Sequence, residues 1–254
     1  MYFWQVSQRQ RGGMANFIIG LIPARSGSQR IKDKNIKALA GHPLLVYSIA
    51  AAKQSGVFQE IVCSTDSKVI GEIARAHGVT VVMRPPEYAT ADSPDVEWVH
   101  HVLRVCGYGY QYAWFAILRP TSPFRTAKTI QTAWGELQRT DCDCLRAVSY
   151  AKEHPAKMWY MNCGELVPYV QPVGEPPPWH SRSTQNLPRV MVQNASLEIA
   201  KCSLVRDRLY PTICGGRVYG FLNPPPEGFD INNQDDWEFA EMKLASGEWG
   251  LPEL

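Results

Sequence analysis

Residues Phe17 to Pro23 form a short, nearly continuous apolar run closed by proline, the pattern of a central strand buried on both faces of a parallel sheet. Parallel neighbours need crossover connections, and the chain supplies them. Beyond a basic loop, His42 to Gln54 carries Leu44, Leu45, Tyr47, Ser48, Ala51 and Ala52 at helical spacing and stops at Gly56. Glu60 to Ser64 reads as a second strand. Thr65 and Asp66 offer capping side chains to a helix from about Ser67 to His77, which Gly78 ends before the strand Val79 to Met83. A helix from about Pro94 to Cys106, a strand Ala113 to Leu118 and a helix Thr126 to Gln138 continue the alternation. The pattern predicts an α/β fold: three layers around a doubly wound, mostly parallel sheet. A chain of 254 residues buries enough apolar surface for one such domain, expected over residues 14–254.

From about Lys152 to Pro188 the periodicity fails. Pro155, Pro168, Pro172 and the run Pro176 to Pro178 alternate with Trp159, Tyr160, Tyr169 and Trp179. Flexible linkers are poor in aromatics, whereas aromatic surface on an excursion commonly seals against a partner, so 152–188 is expected to be a small insertion that makes a homodimer. Order returns with Val190 to Ala200 as a strand, Ser203 to Leu209 as a helical turn, Val218 to Leu222 as a strand and Gln234 to Ala245 as a helix. Residues 1–13 lack the apolar stretch and cleavage site of a signal peptide and are read as a disordered extension. No apolar run approaches the ~20 residues of a membrane span, which predicts a cytoplasmic protein with no membrane partner. A net charge of +2 gives no argument for nucleic acid. Seven cysteines without CxxC spacing read as reduced thiols; Cys142 and Cys144, flanking Asp143, fit either a metal pair or alternate positions of a strand.

The chemistry concentrates in Pro23-Ala24-Arg25-Ser26-Gly27-Ser28-Gln29-Arg30-Ile31-Lys32-Asp33-Lys34-Asn35, placed at the carboxyl end of the first strand, where open α/β sheets bind ligands. Gly27 and Ser28 let backbone N–H groups approach phosphate oxygens, and Arg25, Arg30 and Lys34 neutralise the phosphate charge. The loop lacks the Gly-Lys-Ser/Thr ending of a Walker A motif and lacks GxGxxG, which weakens P-loop and dinucleotide readings. His100 and His101 sit on a helix beside apolar residues, without ligand-spaced partners, and read as packing residues.

This loop resembles the nucleotide-binding signature of the acylneuraminate cytidylyltransferases, the CMP-sialic acid synthetase family and its bacterial relatives. Ser64-Thr65-Asp66, Arg84-Pro85, Leu118-Arg119-Pro120-Thr121-Ser122-Pro123-Phe124-Arg125, Gln193-Asn194-Ala195-Ser196-Leu197 and Asp230-Ile231-Asn232 follow in that family's order. The resemblance implies a nucleotide-diphosphosugar-transferase-like fold and transfer of CMP from CTP to the hydroxyl of an acidic nine-carbon sugar, releasing pyrophosphate. It implies that Arg25, Gly27, Ser28, Gln29, Arg30, Lys34 and Asn35 hold the triphosphate, with Arg84, Ser93 and Asp95 near the cytidine. It sets Arg119, Thr121, Ser122, Gln193 and Asn194 at the acidic sugar, Asp230 with Asn232 at Mg²⁺, and Arg25, Lys34 and Asp230 in the catalytic role. Blander readings stay open: Arg84 bonded to a loop carbonyl, Thr121 as a turn residue, one of Gln193 and Asn194 as structural.

Three positions depart from the family pattern. Asn232 stands where a second aspartate is usual, which favours one metal ion over two, or else caps the last helix. Gln29 stands where lysine is frequent. Arg119 stands where glutamine is usual, and its guanidinium could pair bidentately with a carboxylate or phosphonate, so a KDO-like ulosonic acid or a phosphonate is the alternative acceptor. A nucleotide-binding homologue with weakened catalysis and a glycosyltransferase of shared fold are the readings from other classes.

Overall fold

A computed structural model describes residues 17–107, 111–170, 176–207 and 212–254. The expected extension 1–13 lies outside the described residues. The chain divides into two compact units, one ending at Ala147 and resuming at Asn194–Leu254, the other Val148–Gln193.

The first unit is built on β1 (Ile18–Pro23), the hairpin strands β2 (Ala38–Leu39) and β3 (His42–Pro43), α1 (Leu44–Ser55), β4 (Glu60–Thr65), α2 (Lys68–Ala76) and β5 (Thr80–Met83). It continues with α3 (Asp95–Val105), β6 (Trp114–Ile117), α4 (Ala127–Leu137), most of β7 (Cys144–Tyr150, of which Val148–Tyr150 counts with the second unit), most of β10 (Met191–Lys201, of which Met191–Gln193 counts with the second unit), the short α5 (Cys202–Arg206), β11 (Val218–Leu222) and α6 (Gln234–Ala245). The seven-stranded sheet runs β11-β7-β10-β6-β1-β4-β5. β1 pairs parallel with β4 and β6, β4 pairs parallel with β5, and β10 runs antiparallel to β6. From β1 the chain winds outward through β4 to β5, then restarts on the other side of β1 at β6. That reversal leaves a crevice beyond the carboxyl ends of β1 and β6, the switch point at which doubly wound sheets hold ligands.

β1 explains the two helical layers. Its side chains alternate: Ile18 and Ile22 pack with Leu45 and Ile49 of α1, Ile70 of α2 and Ile130 of α4, while Ile19 and Leu21 pack with Trp98, Val99 and Val102 of α3 and Leu204 of α5. A strand buried on both faces must be apolar throughout, as Ile18–Ile22 is. A third cluster joins Ile31 of the basic loop to Leu39, Leu44, Tyr47, Phe124, Ile231 and Trp237. α6 opens on a capping box, Asn233 Oδ1 accepting from Asp236 N while the Asp236 carboxylate accepts from Asn233 N. The cap of α2 is Ser67, not Thr65 or Asp66, because Asp66 bonds across to the basic loop instead.

The second unit holds the expected insertion and more regular structure than its sequence suggests. β8 (Trp159–Asn162) and β9 (Glu165–Pro168) form an antiparallel hairpin across Cys163-Gly164, both in positive φ. Trp159, Tyr160, Met161, Leu166 and Tyr169 are exposed on this unit. Among the described residues, no helix is long and apolar enough to cross a membrane.

Candidate functional site

The switch-point crevice is a cleft of about 270 Å³ lined by the loops after β1, β5 and β6 and the start of α3. Its walls include Arg25, Ser28, Lys34, Asn35, Arg84, Tyr88, Ser93, Asp95, Trp98, Arg119 and Thr121. Three distant segments of sequence, 23–35, 84–98 and 119–121, thus converge where the topology places a ligand.

The basic loop is held from several directions. Ser26 donates from its N–H (2.7 Å) and its hydroxyl (2.5 Å) to Asp66. The buried Asn35 amide donates to Arg25 O at 2.9 Å, and Lys34 Nζ donates to Ile231 O at 2.9 Å. Gly27, at φ +70°, turns the chain through the left-handed region with nothing near the position a Cβ would take. Burial lowers the Lys34 pKa, Asp230 opposes this, and the net direction is down. Arg25 and Lys34 form no ion pair among the described residues, and two of the three ammonium donors of Lys34 remain for a ligand. Gln29 and Arg30, expected at the triphosphate, are exposed and do not line the cleft. They follow Ser28, which still lines the cleft, and point to solvent before Ile31 returns to the core.

The opposite wall carries compensated charge. Asp95, first residue of α3, accepts from Trp98 Nε1 at 2.8 Å and from both terminal nitrogens of Arg119, at 3.2 and 2.5 Å. Arg119 also reaches Glu198 Oε1 at 2.8 Å, and Glu198 Oε2 pairs with Arg146 at 2.9 Å. Burial works against the Arg119 charge, but Asp95 and Glu198 outweigh it and raise its pKa; burial likewise works against ionised Asp95, and Arg119 holds it below the usual range. Arg119 is therefore committed to two carboxylates of its own chain rather than open to a substrate carboxylate.

Arg84 is buried, donating to Ser64 Oγ (3.2 Å), Ser64 O (3.1 Å) and Tyr88 O (3.4 Å), with its guanidinium 4.9 Å from the centre of the Trp98 ring. Burial lowers its pKa to about 10 against the pull of Asp66 and Asp95. The carbonyl-bonding alternative thus describes its hydrogen bonds, while it still lines the cleft. Ser93 donates to Glu87 O at 2.9 Å and closes the loop above it.

Ser122, expected at the sugar, is fully buried, and its hydroxyl points at Asp230 Oδ1, 3.5 Å away. Thr121 faces the cleft and accepts Ile231 N at its carbonyl, which ties the β6 loop to the segment bearing Asp230. Asn194 turns back on its own strand, accepting Ser196 N at 3.2 Å, and Gln193 lies in the second unit at an exposed position. Arg125 was not singled out by sequence: fully buried, it donates to Ser196 O and to Ser48 Oγ (2.8 Å), and burial lowers its pKa to about 9. Trp98 and Glu198 were also missed. Trp98 could have been found three residues after Asp95, one helical turn on; nothing local marks Glu198.

Asn232 Nδ2 donates to Asp230 Oδ2 at 2.8 Å, and Asn232 N donates to Asp236; the cap of α6 is Asn233, so the capping alternative for Asn232 is replaced by a hydrogen bond that steadies Asp230. One half-buried carboxylate with hydroxyl and amide neighbours suits Mg²⁺, a hard ion that keeps several waters. No group of three or more His, Cys, Asp or Glu able to hold a metal occurs among the described residues. All seven cysteines are free. His101 lies tilted against Tyr88, ring centroids 5.8 Å apart, a packing role.

Residues 19–104, which carry the basic loop, Asp66, Arg84, Asp95 and Trp98, match the family described as cytidylyltransferase. The match covers about a third of the chain. Curated relatives are similar as well: the chain is 42% identical over 117 residues to an N-acylneuraminate cytidylyltransferase of Escherichia coli, covering 46% of this chain and 27% of that protein. It is also 42% identical over 120 residues to a CMP-N,N'-diacetyllegionaminic acid synthase of Legionella pneumophila, covering 46% of this chain and 51% of that protein. The chain spans no more than about half the length of these relatives. A solved CMP:2-keto-3-deoxy-manno-octonic acid synthetase complexed with CTP superposes with a TM-score of 0.66 at 12% identity, covering 91% of this chain and 99% of that one, which establishes the shared fold.

Proposed function

We propose that this protein transfers CMP from CTP to the hydroxyl of an acidic, sialic-acid-like sugar and releases pyrophosphate. The observation that carries the proposal is the pinned basic loop, whose Arg25 and Lys34 charges face a switch-point cleft without ion-pair partners among the described residues. In the step itself the sugar oxygen forms a bond to the α-phosphorus, the bond from that phosphorus to the bridging oxygen breaks, pyrophosphate leaves and the hydroxyl proton is lost. Such a reaction needs alignment and neutralisation of spread negative charge more than covalent help. Arg25 and Lys34 supply fixed cations, Gly27 and Ser28 present backbone donors, and Asp230 is the residue that would hold Mg²⁺, whose charge neutralises phosphate oxygens.

Sialic-acid-like acceptors are favoured by the two curated relatives; the committed ion pairs of Arg119 remove the reason for assigning it to a phosphonate or a second carboxylate. We further propose that the exposed Trp159, Tyr160, Met161, Leu166 and Tyr169 of the second unit form a homodimer contact, and that the enzyme works in the cytoplasm, where CTP is made.

Calorimetric titration with CTP, ATP, GTP and UTP in Mg²⁺, followed by pyrophosphate release with a panel of acidic sugars, tests the reading. Selective CTP binding with turnover supports it; equal binding of all four nucleotides refutes it. Binding without turnover favours a nucleotide-binding homologue, a reading motivated by Asn232 and Gln29. Asn232→Asp should then lower the Mg²⁺ concentration needed for half-maximal CTP binding by about tenfold, since it replaces an amide donor with a second carboxylate; an unchanged Mg²⁺ midpoint removes Asn232 from the ion's surroundings.

A further inference from the structure

On the far side of Glu198 from the cleft, Arg146 Nε donates to Cys214 Sγ at 2.6 Å while its terminal nitrogen pairs with Glu198. Cys144, buried on β7, belongs to the apolar cluster against which Cys214 packs, so the two thiols are neighbours. Cys214 is half-buried in the loop before β11. Two thiols and a guanidinium thus meet in one cluster.

The contact depends on Gly215. A Cβ there would stand 2.4 Å from Asp143 Cβ, so only glycine lets this loop press against the start of β7 and bring the two sulfurs together. Asp143 N donates to Arg217 O at 2.8 Å and fixes the same approach. Closing the sulfurs to the ~2 Å of a disulfide can be taken up by the loop while the strand stays in the sheet.

We propose that Cys144 and Cys214 are a redox-modification site that forms a reversible disulfide with peroxides. The Cys214 thiolate attacks a peroxide oxygen, the O–O bond breaks, and Cys214 becomes a sulfenic acid as hydroxide leaves and takes up a proton. The Cys144 thiol then attacks that sulfur, the S–S bond forms, and the second oxygen departs as water; two thiols are oxidised and one peroxide is reduced. The neighbouring Cys144 thiol and the Arg146 guanidinium hold the Cys214 thiol down to about 6, against burial and against Glu198, whereas the proximity of Cys214 and burial push the Cys144 thiol up. Attacking and resolving groups are thereby differentiated, as reactive thiols in cationic surroundings are.

The test treats the reduced full chain with hydrogen peroxide, quenches with N-ethylmaleimide and maps tryptic peptides without reduction. The expected result is a cross-link between the peptides bearing Cys144 and Cys214, formed at least ~10-fold faster than oxidation of the exposed Cys163 and reversed by dithiothreitol. Cys142 falls on the same tryptic peptide as Cys144, so Cys142→Ser should keep the cross-link, whereas Cys144→Ser and Cys214→Ser should each abolish it. Gly215→Ala, which keeps both thiols, should slow its formation. Persistence in Cys144→Ser, oxidation of Cys163 ahead of the pair, or failure of any cross-link to form while Cys214 oxidises overturns the proposal.

Discussion

Arg25 and Lys34 share one cleft with Arg84 and Arg119, but the fold treats the two pairs of cations oppositely. Each member of the second pair is satisfied within the protein: Arg84 by two carbonyls, a hydroxyl and the Trp98 ring, Arg119 by Asp95 and Glu198. Lys34 makes one hydrogen bond to a carbonyl and has no ion pair among the described residues. A cation that already has its carboxylate shapes a site; one without it is left to meet a ligand's charge. The comparison teaches that basic residues near a phosphate-sized cleft have to be sorted by partner before any is assigned to the nucleotide.

Removing the partner of the satisfied group should have the largest effect. Glu198→Ala leaves Arg119 and Arg146 facing each other in a mostly buried place and should destabilise the fold by about 3 kcal/mol, read as a drop in urea midpoint. A loss below ~1 kcal/mol would break the distinction between the two pairs. On the proposed function, Lys34→Ala should cut kcat/KM by ~10²-fold with an almost unchanged urea midpoint, since the group lost would meet the nucleotide rather than the core. Because burial lowers the Lys34 pKa, its charge disappears at a pH below the ordinary lysine value. Nucleotide affinity should therefore fall on the alkaline side before that value is reached, and Lys34→Ala should flatten the fall. Stability moves the other way: between the lowered folded value and the ordinary one the unfolded chain binds more protons, so stability contributed by this group rises with pH. The smallest effect belongs to Arg30→Ala, exposed and outside the cleft lining. Its change in nucleotide affinity should stay within about 0.5 kcal/mol, roughly twofold, and a larger one would bring Arg30 back to the triphosphate.

Much of this was legible in the residues. The apolar run before Pro23, the helical spacing of α1 and the strand-end placement of the basic loop are local patterns, and α6 appears at its expected bounds because its start is marked by Asn233 and Asp236 three residues apart. The partners of Arg119 were not legible, since Asp95 and Glu198 lie 24 and 79 residues away and meet it only through the sheet order. Ser122 looked like a substrate contact beside Thr121, but successive residues of a turn face different ways, and Ser122 faces the core. The β8–β9 hairpin was hidden by its prolines and aromatics, which mask the alternation that strands normally show.

Ile31, buried between Leu39, Leu44 and Trp237, anchors the basic loop from beneath, as Ser26 and Asn35 do from its first turn and its end. Fixing the backbone of a free loop costs ~1 kcal/mol or more per residue when a ligand arrives, and a loop whose shape is set by the core has met most of that cost during folding. Nucleotide binding here should accordingly carry a small entropic penalty, and Ile31→Ala, which touches no ligand, should make the binding entropy less favourable while leaving every phosphate contact chemically intact.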